Sequence, residues 1–165
     1  MYSKILYTSC TGSGKKYAEL LSEALGIPAY RLEDAPKADD SKVIYIGWLM
    51  AGKVMGYAKA KGKCIVGALV PVGMSTYPGS GAEEVRKNNK VPDYTQIFPV
   101  QGGFHMSRLP LPFRLMMKLK NPQIVKALEK KASRNAAQEA MLRMASTGDA
   151  EPAEWSIEQI VAACK

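Results

Sequence analysis

Short apolar runs of strand length alternate with segments of helical periodicity along the first hundred residues. The apolar run at residues 5–7 predicts a strand. A stripe at spacings of three and four residues then predicts a helix that stops at Gly26, with Tyr17, Leu20, Leu21, Ala24 and Leu25 on one face. Further strands are predicted at 29–33, 43–46, 64–70 and 96–100, with helices near 54–61 and 80–89 between them. This alternation indicates a parallel sheet, doubly wound, with helices on both faces.

The end of the pattern predicts an edge strand followed by a helical insertion. Pro99 cannot donate to a strand ladder, so the last strand is expected at an edge of the sheet. After Gly102 and Gly103 comes an apolar and basic stretch at 113–120. A long helix is predicted from Pro122 to about residue 144, and a final amphipathic helix at 155–164. We therefore expect a single domain over residues 1–165, a three-layer α/β fold with a five-stranded sheet and an insertion after the last strand.

Composition and charge narrow the function classes. Cys10, Cys64 and Cys164 are an odd number without metal-ligand spacing, which argues against a disulfide framework and a zinc site. Together with the lack of a signal-peptide pattern, this leads us to expect a cytoplasmic protein. The net charge of +8 favours an anionic partner: a phosphorylated cofactor, nucleic acid, or an acidic protein or membrane surface. No nucleic-acid recognition motif is present, so we expect no nucleic-acid partner.

The loop between the first strand and the first helix predicts a phosphate site. Its residues are Ser9, Cys10, Thr11, Gly12, Ser13 and Gly14, and Lys15 and Lys16 follow directly. Free N–H groups and the positive end of the helix dipole meet there, while glycines allow a close approach of the backbone. The loop is not a Walker A motif, because Ser9 stands where that motif needs a glycine and Lys16 where it needs Ser or Thr. It is not a dinucleotide fingerprint either, because Tyr17 stands where the third glycine belongs. An ordinary polar turn is the alternative.

The same loop resembles the phosphate loop of flavodoxins, with the pattern Ser/Thr-x-Thr-Gly-x-Thr/Ser. The match covers Ser9, Thr11 and Gly12, while Gly14 replaces the last hydroxyl residue. Residues 46–53 and the sequence Gly102-Gly103-Phe104 with its basic, Met-rich continuation resemble the flavodoxin-domain branch that includes menaquinone-dependent protoporphyrinogen dehydrogenase. The resemblance implies a flavodoxin-like fold of strand order 2-1-3-4-5, with FMN bound between the first and third strands.

Two further loops are expected to hold the isoalloxazine ring. The first comprises Trp48, Leu49, Met50, Ala51 and Gly52, and the second Val72, Gly73, Met74 and Ser75. Trp48 is either a stacking partner of the flavin or a tryptophan of the core or rim. The resemblance implies a redox protein, either an electron carrier with a partner protein or an FMN-dependent oxidoreductase with a quinone or porphyrinogen type of substrate. A fold that has lost FMN and serves binding or regulation is the alternative.

Three other features carry weaker hypotheses. Cys10 at a helix N-terminus is a candidate nucleophile of a phosphatase-like enzyme, although Lys16 stands where that chemistry needs an arginine. His105 is either a proton donor near the flavin or an exposed loop residue. The basic and apolar stretch 108–131 is either a membrane-surface element or a helix packed on the sheet with a solvated basic face, and we favour the packed helix.

Overall fold

The computed structural model describes residues 1–36, 40–74 and 80–165. The strands are β1 (Lys4–Tyr7), β2 (Ala29–Arg31), β3 (Lys42–Met50), β4 (Lys53–Val54), β5 (Ile65–Gly73), β6 (Gln96–Ile97), β7 (Val100–Gln101), β8 (Phe104–His105) and β9 (Asp149–Ala150). The helices are α1 (Ser13–Leu25), α2 (Tyr57–Lys61), α3 (Ser80–Asn89), α4 (Leu111–Glu129), α5 (Ala136–Thr147) and α6 (Glu158–Cys164), with a 3-10 turn at Met106–Arg108.

The central sheet is mostly parallel and runs in the order β2-β1-β3-β5-β6. The strand β7 also pairs with β5 in parallel, and β4 pairs with β3 in antiparallel orientation. A separate two-stranded sheet joins β8 and β9. The architecture is α/β, as predicted, and is compatible with a flavodoxin-like fold.

Both faces of the central strands are buried, as their continuous apolar runs predicted. In β3, Ile44 and Ile46 pack in the cluster that includes Tyr17 and Leu21 of α1 and Ile160 of α6. Their neighbours on the opposite face pack with α2 and α3, in a second cluster that includes Val43, Tyr45, Tyr57, Ala60 and Val85. The sheet therefore lies between two helical layers. The first helix stops where predicted, at Gly26 in the left-handed conformation with φ 67°.

The prediction of a single helix from Pro122 to residue 144 is wrong. The helix α4 begins already at Leu111 and passes through Pro122. Pro122 is exposed, so water can solvate the carbonyl group that loses its helical N–H partner there. A second helix, α5, begins after Asn135, whose side chain forms a capping box with Gln138. That Asn-x-x-Gln spacing is a start signal in the sequence that periodicity alone overlooked.

Smaller differences arise where strands are short. The helix predicted from residue 54 begins at Tyr57, because Lys53 and Val54 form the return strand of a hairpin. The strand predicted at 96–100 is split into β6 and β7 around Phe98 and Pro99. Because β6 ends the path through the sheet, Pro99 lies at an edge, as its missing N–H predicted.

In the part of the chain that the structure describes, no helix has both the length and the hydropathy to cross a bilayer.

Gln101 ties the end of the sheet to three other segments. Its side chain is 3% exposed. Its Nε2 donates to the carbonyl oxygens of Met74 and Ala137, both at 2.8 Å, and its Oε1 accepts from Ala153 N at 3.1 Å. Its own carbonyl oxygen accepts from Tyr17 Oη at 2.7 Å. One amide side chain thus holds Met74 after β5, the start of α5 and the segment that leads to α6.

We expect Gln101→Met, which keeps the volume and removes the amide, to lower the free energy of unfolding by at least about 2 kcal/mol. The reason is that it removes the side-chain partner of three part-buried backbone groups, Met74 O, Ala137 O and Ala153 N. Urea unfolding followed by circular dichroism measures the change, with the exposed Gln159→Met as the matched control. Equal stabilities of the two variants would show that the amide does not hold these segments.

Candidate functional site

A cavity of about 250 Å³ lies at the carboxyl ends of β1, β3 and β5. In a parallel α/β sheet these ends converge on one edge, where ligands bind. All three predicted loops reach the cavity, which is lined by Ser9, Cys10, Thr11, Ser13, Gly14, Trp48, Leu49, Met50, Ala51, Gly52, Val72, Gly73 and Met74. Gly12 is not part of the lining, and Ser75 lies outside the described residues. The structure thus brings together three segments that are far apart in the sequence.

The first loop leaves the start of α1 without a side-chain cap. Gly12 is the N-cap residue and adopts φ 107°, a conformation that favours glycine. The N–H of Gly12 donates to Ser9 Oγ at 3.1 Å, which closes the loop on itself. The first N–H groups of a helix have no partner within the helix. The first turn of α1 therefore offers N–H donors beside the cavity.

The hydroxyl groups of this loop are directed towards the insertion. Ser13 Oγ donates to Gly103 O at 3.2 Å, and Thr11 Oγ1 lies 3.5 Å from the same carbonyl oxygen. In the phosphate site predicted for this loop, these hydroxyls would be additional donors. In this structure they contact the segment after β7 instead, so an anion in the loop would need them to rotate.

The position of Gly14 has no room for a side chain, because α1 begins against the end of β1. A Cβ at this position would collide with the carbonyl oxygen of Thr8 and lie 3.4 Å from Ser9 Cβ. The residue that replaces the usual hydroxyl of the flavodoxin pattern is thus required by packing. Its N–H belongs to the first turn of α1 and is available to an anion.

The cations at the site differ from those predicted. Lys15 forms an ion pair with Glu19 at 3.6 Å, and Lys16 lies over the ring of Trp155, 4.1 Å from its centroid. Arg108, and not a lysine of α1, brings a positive charge to the loop, because its Nη1 donates to Thr11 O at 2.9 Å. Lys120 of α4 also lines the cavity. Sequence reasoning missed both because they come from the insertion, and only the fold brings that segment to the loop.

The second loop is a tight hairpin between β3 and β4. Ala51 and Gly52 form its two-residue turn with φ 48° and 78°, and two positive φ values are typical of a type I′ turn. Asn89 at the end of α3 fastens the turn, because its Nδ2 donates to Gly52 O at 2.9 Å and its Oδ1 accepts from Val54 N at 2.8 Å. The edge of the cavity formed by this loop is therefore held by the helical layer.

Trp48 lines the cavity near that turn and packs against the insertion. Its ring contacts Phe113 of α4 edge to face, with the centroids 5.5 Å apart and the planes at 83°. This contact accounts for one side of the indole ring through ordinary packing. The sequence left open whether Trp48 is a stacking or a rim residue, and the structure places it between α4 and the cavity.

Helices α4 and α5 cover the cavity with methionine-rich surfaces. Met116, Met117 and Ile124 of α4 and Met141 of α5 line it. A third apolar cluster lies beneath these helices and joins Phe104, Leu109, Met117, Ala140 and Met144, with Cys10 and Met74 packed against it. Methionine side chains are flexible and adapt to different neighbours. The Met-rich composition of the insertion was the only signal of this cover in the sequence.

The structure argues against the two other candidate catalytic residues. Burial raises the pKa of the Cys10 thiol, whereas a nucleophile needs the pKa lowered. His105 lies on β8, where Nδ1 pairs with Asp149 and Nε2 lies 3.5 Å from Glu151 Oε1. It is absent from the lining of the cavity. Within the described residues, no group of three or more His, Cys, Asp or Glu side chains could hold a metal ion.

No protein-family model matches the chain, and no curated protein is similar to it at a significant level.

We expect Gly14→Ala to lower the free energy of unfolding by about 1–3 kcal/mol, because its methyl group has no space beside Thr8 O. Gly62→Ala is the matched control. A Cβ there finds its nearest neighbour at 3.5 Å, and the φ of −79° suits alanine. Thermal and urea unfolding measure both variants. A Gly14→Ala protein as stable as the Gly62→Ala control would mean that α1 can withdraw from β1.

We expect iodoacetamide to modify Cys10 slowly at pH 7.5 and faster as the pH rises above 9, because the thiolate is the reactive form and burial raises the pKa of this thiol. Peptide mass spectrometry follows the residue, and the same protein unfolded in urea provides the reference rate. Modification of the folded protein at neutral pH faster than of the unfolded chain would reinstate Cys10 as a nucleophile.

Proposed function

We propose that this chain is a flavodoxin-like FMN-binding protein that acts as an oxidoreductase. The observation that carries the proposal is the convergence of the three predicted loops, residues 9–14, 48–52 and the described part of 72–75, on one cavity beside an uncapped helix start. A cavity with an anion-binding end and an apolar end suits a ligand that has a phosphate group and a flat apolar ring.

The anion-binding end of the cavity would hold the phosphate. The N–H groups in the first turn of α1 are the donors, Gly12 and Gly14 give the backbone access, and Arg108 supplies a positive charge next to Thr11. Thr11 and Ser13 would add hydroxyl donors after rotating away from Gly103. These residues fit a phosphate monoester through backbone donors and one guanidinium group.

The apolar end would hold the isoalloxazine ring between residues 48–52 and 72–74. The present volume of about 250 Å³ is below the range of roughly 300–1,000 Å³ that is typical of ligand pockets. Binding would therefore displace side chains of the cover, and the flexible Met116 and Met141 are suited to move. When bound, the flavin would accept and pass on electrons or hydride, and the protein would orient it and exclude water.

The cover favours an oxidoreductase over an electron carrier. A carrier needs an exposed flavin edge for its partner protein, whereas α4 and α5 close this side of the cavity with Met117, Ile124 and Met141. Lys120 adds a positive charge to the same lining. The substrate would then lie between the ring and the insertion, and a quinone or porphyrinogen type of molecule, as in the branch that the sequence resembles, has suitable size and polarity.

The test compares FMN with riboflavin, which has the same ring and no phosphate. We expect FMN to bind with quenched flavin fluorescence, and Arg108→Gln to weaken FMN binding roughly three- to tenfold while leaving riboflavin binding unchanged, because only FMN carries the charge that Arg108 faces. Lys59→Gln, which removes an exposed charge on α2, is the control.

The outcomes separate the remaining hypotheses. Absence of binding at micromolar FMN would contradict the proposal and leave a fold that serves binding or regulation. Equal affinity for both flavins would contradict the phosphate assignment at residues 9–14.

A further inference from the structure

Helix α4 exposes a stripe of three leucines. Leu111, Leu115 and Leu119 are 75%, 64% and 69% exposed, although large aliphatic side chains are usually buried. Their spacing of four residues places them on one face of the helix. In the described part of the chain, the other exposed large apolar side chains are Met1, Tyr94 and the less exposed Ile65, which are far apart in the sequence. The leucine stripe is thus a concentrated apolar surface.

The opposite face of α4 is already packed. Met117, Asn121 and Leu128 are buried, and Met117 belongs to the cluster that joins α4 to α5 and β8. The helix is therefore anchored on the domain by one face. The exposed leucines lie on its other face and are not the face by which α4 packs on the domain. An outward apolar stripe on an anchored helix is available to another molecule or to a membrane surface.

The segment that carries the leucine stripe also holds most of the chain's net charge. Residues 108–131 contain seven basic residues and one acidic residue, a net charge of +6 out of +8 for the whole chain. Lys118 follows Leu115 by three residues and Lys126 follows Leu119 by seven, so both lie on the leucine face, and both are exposed. Among the described residues, neither has a carboxylate within ion-pair distance.

We propose that α4 docks the protein on an anionic bilayer surface. Exposed leucines flanked by lysines are the pattern of helices that lie in the membrane interface, with the apolar side chains at the acyl boundary and the ammonium groups among anionic headgroups. The charge argues against a second copy as the occupant, because two such faces would repel each other. The sequence alone favoured a packed helix with a solvated basic face; α4 is packed by one face, and the exposure of the leucines on the other face is what favours the bilayer.

The docking surface adjoins the cavity. The same helix lines the cavity through Met116, Met117, Lys120 and Ile124. A bilayer that contacts the leucine stripe would therefore lie next to the cover, and an apolar molecule could pass between lipid and cavity without crossing bulk water. This inference goes beyond FMN binding and does not depend on it, since the leucine stripe and the lysines on the same face would contact the bilayer without a cofactor.

The experiment is sedimentation of the purified full chain with vesicles of phosphatidylcholine alone or with 30% phosphatidylglycerol. We expect binding to the anionic vesicles, weakened by 0.5 M salt because the attraction between the lysines and the headgroups is screened. Leu115→Ser with Leu119→Ser should reduce the partition coefficient at least about tenfold through the lost apolar contact. Lys118→Gln with Lys126→Gln should reduce it by about tenfold or more through the lost charge.

Matched controls separate the stripe from general effects. Lys59→Gln with Lys87→Gln removes the same charge from exposed positions on α2 and α3, and Tyr94→Ser removes an exposed apolar side chain elsewhere. Both should bind vesicles as the parent does. Equal binding to neutral and anionic vesicles, no binding to either, or equal loss in the control variants would overturn the proposal. So would a dimer in light scattering that the leucine variant abolishes, combined with no vesicle binding.

Discussion

The parallel pairing of β1, β3 and β5 is the constraint on which the rest of this molecule depends. Parallel strands must return through crossover connections, so helices cover both faces of the sheet and the carboxyl ends of all three strands meet at one edge. That edge is where the first turn of α1, the hairpin after β3 and the loop after β5 come together. The cavity thus follows from the topology of the sheet.

Close packing at the same edge determines the shapes of the loops. Gly14 lets α1 begin directly against Thr8, and Gly47 leaves room for Val54 and Met55, where a Cβ would come within 2.6 and 2.8 Å of them. Tyr45 Oη donates to Met55 O at 2.7 Å, and burial raises the pKa of this tyrosine to about 12. A neutral buried hydroxyl group therefore holds the end of the hairpin.

The insertion turns this common edge into a particular site. It supplies the cations Arg108 and Lys120, and it supplies the methionines that close the cavity. Its inner and outer faces differ in chemistry: the inner face contacts the cavity, while the outer face presents leucines and lysines to the surroundings. The proposed flavin chemistry and the proposed membrane contact thus share one helix. A bilayer docked on α4 would lie next to the cavity.

The sequence by itself determined the α/β class, the edge position of Pro99, the stop at Gly26 and the positions of the loops that follow β1, β3 and β5. These are local properties: periodicity, a missing N–H, or a glycine with positive φ acts within a few residues. The tertiary structure alone decided that Lys15 and Lys16 turn away from the loop while Arg108 reaches it, that α4 passes through Pro122, and that three leucines remain exposed. Those outcomes depend on which distant surfaces meet, and the free energy of such contacts is not encoded in the spacing of neighbouring residues.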